Sequence, residues 1–493
     1  MTQLDGLMGS ADAMSSDGMS ARADELTGGP VAHKAGGVAV GLGTRDGAVL
    51  GAQGSSVASA APRGAAASVE PRDTTARTSG RGGASVLIVG SGGREHALAA
   101  AVRRSPLVDR LAFAGGANAG LEAIATRVDA DRVEEEALGR NLVVIGPEAP
   151  LVDGLADRLR SVGVAVFGPS AAAARLEASK SYTKSMCAEV GIPTAAATLA
   201  GSLHEGLAAV RRMGAPVVVK ADGLAAGKGV VVAQTLAEAE RAVSVCFDGA
   251  FGGAGAQVVV EERLEGPEVS LFVLCDGHTA RPLASARDYK RAFDGNTGPN
   301  TGGMGAVCPA PGFSMEAREA AMERIVRPTL GWLAERANPY VGVLYAGLML
   351  TRDGPKLIEY NVRFGDPECQ VIWPLVRSDP FVLLHATATG RLADAPIELS
   401  PRSAVGVVVA ADGYPGVVHT GDAIGGLALV EAAGATIYHA ATRYEGPDIV
   451  SDGGRVLTAV ATGDDVADAR QRVYGALAHL SWPTGRMRSD IAA

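Results

Sequence analysis

From about residue 85 onward, apolar and polar positions alternate between two regimes. Short unbroken apolar runs, Val86-Leu87-Ile88-Val89, Leu142-Val143-Val144-Ile145 and Val164-Ala165-Val166-Phe167, each end in glycine, and the first leads into an alanine-rich helical stretch. Runs apolar on both faces read as buried strands, and strand–helix–strand repeats predict a parallel sheet with ligands at the strands' carboxyl ends. Farther on, Val217-Val218-Val219-Lys220 and Val230-Val231-Val232 flank a loop of small residues, and Val258-Val259-Val260-Glu261-Glu262 reads as a strand that leaves its sheet and turns. Beyond Arg402, short runs such as Val405–Val409 alternate with glycine turns, which predicts a small β-rich α+β domain. The fold class expected is therefore α/β.

Composition changes this picture only at the front. The first 84 residues contain no Phe, Tyr or Trp and are rich in Ala, Gly and Ser. So little apolar surface cannot offset the entropy of ordering, and residues 1–84 are expected to be a disordered low-complexity leader, or the product of a start assigned too far upstream. Seven Lys/Arg against eight Asp/Glu in that stretch argue against a transit peptide. Over all 493 residues the 47% hydrophobic content supports several cores, and a net charge of −9 offers no basic face for nucleic acid. Five scattered cysteines, without metal-ligand spacing, suit packing in a reducing cytoplasm. No apolar run is as long as a membrane span.

The chemistry concentrates in a few segments. In Ile358-Glu359-Tyr360-Asn361-Val362-Arg363-Phe364-Gly365-Asp366-Pro367-Glu368, side chains two apart share a strand face. Glu359 and Asn361 thus present a carboxylate and an amide oxygen together, which suits Mg²⁺, with Arg363 following on the same face. An edge strand with a solvated polar face would give the same pattern. The loop Lys220-Ala221-Asp222-Gly223-Leu224-Ala225-Ala226-Gly227-Lys228-Gly229 supplies a second phosphate signal, because its glycines allow close backbone approach and its lysines add charge. It is not a Walker loop, since Gly229 stands where Ser or Thr is needed. Upstream, Gly90-Ser91-Gly92-Gly93-Arg94-Glu95-His96 enters a helix, and a glycine turn there can hold phosphate on free amides. No acidic residue closes a second strand where a dinucleotide ribose would be held, so a sugar phosphate fits better, with Glu148 near its polar groups. His96 reads as a cap or packing residue sooner than as a base. Arg287-Asp288-Tyr289-Lys290-Arg291 and the glycine-rich Asn296–Ala306 read as a substrate loop.

Taken in order, G-x-G-G-R-E-H-A, G-P-E-x-P-L, K-A-D-G-L-A-x-G-K-G-V, N-T-G-P-N-T-G-G-M-G-A and E-x-N-x-R-F-G-D-P-E resemble the ATP-grasp superfamily and, within it, the phosphoribosylamine–glycine ligase family. The resemblance runs from about Val86 to Ile491. It implies a Rossmann-like N-terminal domain over 85–185, an ATP-grasp domain over 186–400 with a lid at about 195–270, and a C-terminal domain over 401–493. The implied reaction phosphorylates glycine with ATP and passes the glycyl group to 5-phosphoribosylamine, in the cytoplasm, by a monomer or weak dimer. The implied cofactor is Mg²⁺ or Mn²⁺ on Glu359 and Asn361. For ATP the resemblance points to Lys180, Lys220, Gly227, Lys228, Glu261, Leu264 and Glu268. Arg363, Asp288 and Lys290 fall on the glycine side. Gly92, Gly93, Asn118, Glu148, Asn300, Thr301, Gly302 and Gly303 fall on the ribosylamine side.

The chain departs from the pattern in places. A carboxylate frequent about a dozen residues before the E-x-N pair is missing from Tyr345-Ala346-Gly347. Gly116 replaces a usual proline, and Tyr289 stands where histidine is frequent. Two other readings remain: a different carboxylate–amine ligase of the superfamily, and a degenerate ATP-binding module. The second would show damage at Lys220, Lys228, Glu359 or Asn361, and none is present.

Overall fold

The computed structural model describes residues 83–223, 229–249 and 257–493. Gly227, Lys228 and nearly all of the leader lie outside the described residues. The first strands are β1 (Ala84–Val89), β2 (Val108–Ala114), β3 (Thr126–Val128), β4 (Leu142–Ile145) and β5 (Val166–Phe167). They pair in parallel in the order β3-β2-β1-β4-β5. The chain order reverses between β1 and β4, and the crevice outside the carboxyl ends of those two strands is where such sheets take ligands. The run Val164–Phe167 contributes only its last two residues to β5, because this edge pairs with β4 alone.

A second sheet of four strands carries Lys220. Its strands are β6 (Ala197–Ala200), β7 (Val217–Ala221), β8 (Val230–Ala233) and β9 (Val258–Glu262), in the order β6-β9-β7-β8. The helices Leu203–Met213 and Leu236–Phe247 cover one face and share a core of valines and alanines with it. Both helices begin at side-chain caps, Ser202 and Thr235, with a glutamate three residues later, the capping-box spacing.

The third sheet has eight strands. They are β10 (Glu268–Asp276), β11 (Ala280–Asp288), β14 (Gly305–Cys308), β15 (Val341–Thr351), β16 (Gly354–Asn361), β17 (Ser403–Ala410), β18 (Thr436–His439) and β21 (Arg455–Gly463), with small pairs β12 (Arg291–Phe293)–β13 (Thr297–Asn300) and β19 (Thr442–Glu445)–β20 (Asp448–Ser451) outside it. The order β16-β15-β10-β11-β14-β17-β21-β18 is antiparallel throughout. The C-terminal strands β17, β21 and β18 are thus an extension of the central sheet rather than a sheet of their own. Four consecutive pairs, Gly305↔Val407 to Cys308↔Ala404, form the seam. Gly406 is needed at that seam: a Cβ there would stand 2.8 Å from Val371. The C-terminal segment also grips the first sheet. Asn118 is fully buried, and its amide nitrogen donates to the carbonyls of Ser91 (2.8 Å), His439 (2.8 Å) and Ala440 (2.9 Å). The His439 amide donates to His96 Nδ1 at 2.8 Å.

Candidate active site

One cavity of about 370 Å³ opens where the ends of β1 and β4, the tip of β7 and the outgoing end of β16 meet. In β16 the register sets Glu359 opposite Gly347 and Asn361 opposite Tyr345. Both oxygen donors line the cavity, as two-residue spacing on one strand requires. Among the described residues no cluster of three or more His, Cys, Asp or Glu could cage an ion. Glu359 and Asn361, as oxygen donors, fit a hard divalent cation that fills its shell with phosphate and water.

The buried Lys220 is the penultimate residue of β7, and a buried ammonium needs anionic company. Its Nζ lies 2.9 Å from Glu261 Oε2 and donates to the Ile358 carbonyl at 3.3 Å. Lys184, from the helix Lys180–Val190, reaches the other oxygen of Glu261 at 3.2 Å and donates to Thr194 Oγ1 and the Ala195 carbonyl. Each oxygen of the Glu261 carboxylate thus carries one lysine ammonium. Lys180 donates to the Gly223 carbonyl at 2.9 Å. Burial holds the Lys180 and Lys184 ammoniums below their ordinary range, though Glu359 and Glu261 respectively oppose this. Leu264 and Glu268 do not line the cavity; Glu268 is exposed, 3.4 Å from Lys290.

Arg363 is the pivot between the sheets. Its Nε donates to Glu148 Oε2 at 3.3 Å and its Nη2 to Glu177 Oε1 at 2.9 Å, while Glu177 Oε2 accepts from the Val362 amide at 2.7 Å. Burial alone would lower the Arg363 pKa, but the two carboxylates outweigh it and push it upward. Glu148 is held below the usual carboxylate range: burial opposes ionisation, and Arg363 and Arg94 override it. Glu177 is deeper, and burial raises it despite Arg363.

On the other wall, Lys290 pairs with Asp288 at 2.9 Å. Burial works against its charge, but Asp288, Glu268 and Glu368 hold its pKa well above the ordinary value. Glu368 is buried and accepts from Tyr345 Oη at 2.8 Å and Ser270 Oγ at 3.3 Å. Burial and Asp288 raise its pKa. Tyr345 stands where a strand carboxylate was missing from the sequence pattern, and it hands its hydroxyl to Glu368.

The ribosylamine-side residues divide. Glu148, Thr301 and Gly302 line the cavity; Gly92, Gly93, Asn118, Asn300 and Gly303 do not. The amide of Gly92 donates to Glu95 Oε2 at 2.7 Å and that of Arg94 to Asp366 Oδ2 at 3.3 Å, so two of the amides expected to be free carry protein carboxylates. Asn118 acts as a strut: its side-chain donors and its cap to the Leu121 amide are satisfied inside the protein. Gly303 is backbone: its φ of +112° suits glycine, and a Cβ would meet Pro367 at 2.6 Å. His96 is a buried packing residue, its pKa lowered to about 3 by burial and His439.

Sequence reasoning passed over Glu177, Lys184, Arg94, Asp366, Glu368 and Arg455, all of which line the cavity. Three stood inside the quoted motifs. Lys184 follows Lys180 at helical spacing, a signal that was available, whereas Glu177 sits near the end of the preceding helix Ala171–Ala178. Nothing local marked Arg455.

The parallel-sheet crevice, the lysine-bearing four-stranded sheet and the E-x-N strand together define an ATP-grasp ligase. Residues 84–177, 178–369 and 404–493 match, in turn, the N domain, the ATP-grasp (A) domain and the C domain of phosphoribosylglycinamide synthetase. A phosphoribosylamine–glycine ligase of Brucella melitensis is 52% identical over 414 residues, covering 82% of this chain and 97% of that protein. One from Vibrio cholerae is 46% identical over 416 residues, with the same coverage. The crystal structure of phosphoribosylamine–glycine ligase from Thermotoga maritima superposes with a TM-score of 0.72 at 34% identity, covering 82% of this chain and 99% of that one. An N5-carboxyaminoimidazole ribonucleotide synthetase from the same organism, at 17% identity and a TM-score of 0.56, shares the fold. The chain belongs to the phosphoribosylamine–glycine ligase family.

Proposed function

We propose that the chain catalyses ATP-dependent ligation of glycine to 5-phosphoribosylamine through glycyl phosphate, giving glycinamide ribonucleotide, ADP and phosphate for purine biosynthesis. The observation that carries the residue roles is the convergence of Glu359, Asn361, Lys180, Lys220 and Arg363 on one cavity at the crevice of the first sheet. Mg²⁺ or Mn²⁺ bound to Glu359 and Asn361 would neutralise charge across the ATP phosphates. Lys180 and Lys220 bind those phosphates, and Glu261, gripping Lys184 and Lys220, fixes where Lys220 points.

Glycine lies between Arg363 and the Asp288–Lys290 pair, its carboxylate toward the guanidinium and its ammonium toward Asp288. Arg363 is oriented beforehand by Glu148 and Glu177, so it meets the developing acyl phosphate without reorganising. 5-Phosphoribosylamine enters from the glycine turn and the Thr301–Gly302 loop, and its amine displaces phosphate from the glycyl carbonyl. Positioning and charge neutralisation suffice, and no protein nucleophile is required.

The test is ADP release by the purified full chain with ATP, Mg²⁺, glycine and 5-phosphoribosylamine formed in situ from ribose 5-phosphate and ammonia. Release should need both co-substrates. Release that ignores glycine, or that bicarbonate or another amino acid supports as well, would sink the reading.

A further inference from the structure

Arg455 opens β21, in the C-terminal segment, yet its side chain lines the catalytic cavity. A single nitrogen, Nη1, donates to the carbonyls of Gly302 (2.6 Å) and Asp366 (2.6 Å), with Gly303 O at 3.3 Å. The same nitrogen stands 3.5 Å from the Asp366 carboxylate, and burial of that carboxylate is outweighed by Arg455 and Arg94, which hold its pKa low. Asp366 in turn accepts from the Arg94 amide at the first turn of the helix Gly93–Arg103. One guanidinium therefore ties the substrate loop, the turn after the metal strand and the mouth of the first sheet.

The surrounding sequence is shaped to it. A Cβ on Gly302 would stand 2.9 Å from Arg455 Cζ, so glycine there makes room for the guanidinium. A second side chain from the same segment, Tyr414, accepts the Gly302 amide on its hydroxyl at 3.1 Å. Convergent carbonyls around a charged donor are strong and directional hydrogen bonds. The remaining N–H groups of the guanidinium make no hydrogen bond among the described residues, and the side chain, which lines the cavity, keeps 22% exposure.

We infer that Arg455 is a positioning residue for the amine substrate, the point at which the C-terminal segment completes the catalytic cavity. It holds Gly302–Gly303 and Asp366 in the arrangement that receives 5-phosphoribosylamine. This rests on the assignment of that loop to the ribosylamine made above.

The experiment compares full-length wild type, Arg455→Ala, Arg455→Lys and Tyr414→Phe, with KM for each of the three substrates, kcat and melting temperature. Arg455→Ala should raise the ribosylamine KM about tenfold or more while the ATP and glycine KM values stay within about twofold, the split that loss of charge-assisted hydrogen bonds on one substrate loop produces. Arg455→Lys should recover part of the loss, and so should guanidinium ion added to Arg455→Ala. Tyr414→Phe, which loosens the same loop without touching the charge, should raise the same KM by less. If Arg455→Ala fails to fold, the Lys and Phe variants carry the same comparison. Equal shifts in all three KM values, or an unchanged ribosylamine KM, would overturn the inference. Wild type that needs no ribosylamine at all would instead overturn the functional reading beneath it.

Discussion

Arg363 shows how much a single side chain depends on its company. Two carboxylates from the N-terminal side accept from its Nε and Nη2, so the guanidinium is fixed by directed hydrogen bonds as well as charge. Glu177→Gln keeps the shape and removes the charge, and turnover should fall about tenfold to a hundredfold from misplacement of Arg363, measured as kcat at saturating substrates. Glu359→Gln should be harsher, losing about a hundredfold or more in turnover with an unchanged circular dichroism spectrum, because it would weaken one of the two protein oxygens proposed to hold the divalent ion. At this scale the sequence was most readable where spacing alone decides, as for Glu359 and Asn361. The anionic partner required of a buried Lys220 could be anticipated, but not that Glu261 would fill the role while also meeting Lys184, since that depends on the β7–β9 register. Glu368 was invisible as a site residue because it arrives through Tyr345 and a buried turn, not through strand periodicity.

Among the elements, the joint between the helix Gly93–Arg103 and β18 carries two buried neutral histidines. Burial lowers His96 to about 3 and His439 to about 4, against an ordinary 6.5. Depressed histidine pKa values mean that the unfolded chain takes up protons which the folded chain refuses. Stability is therefore fully present above pH 6.5 and is lost as pH falls toward 4 and 3. Glu177 and Glu368, with raised values, work in the opposite sense and gain as pH falls. Denaturant midpoints of wild type and His96→Gln between pH 7.5 and 4.5 would separate the two, with the variant expected to lose less on acidification. Asn118→Ala, at the same joint, removes three buried donor contacts and a helix cap and should cost about 2–4 kcal/mol in urea unfolding. That an asparagine from a motif-like loop serves as masonry was not legible, whereas His96 already read as a packing residue. Their partners are more than 300 residues away in sequence.

For the whole molecule, the parallel N-terminal sheet could be read from three apolar runs, because strands buried on both faces have a pattern that no surface element shares. The continuity of the central sheet into the C-terminal segment could not. Val405–Val409 says strand, but nothing in it says that its neighbour is Gly305–Cys308. Shared hydrogen bonds and core contacts across that seam predict joint unfolding. Amides of β17 should exchange with deuterium as slowly as those of β10, and calorimetry should show no separate early transition for residues 404–493.

The same seam governs how the chain can be dissected. Cutting near residue 404 would not release two tidy modules. It would leave β14 and β17 each with a bare backbone edge, the second flanked by valines, and such edges recruit strands from other molecules. Half-length fragments should accordingly aggregate, and should regain solubility when the two are co-expressed so that each edge finds its partner.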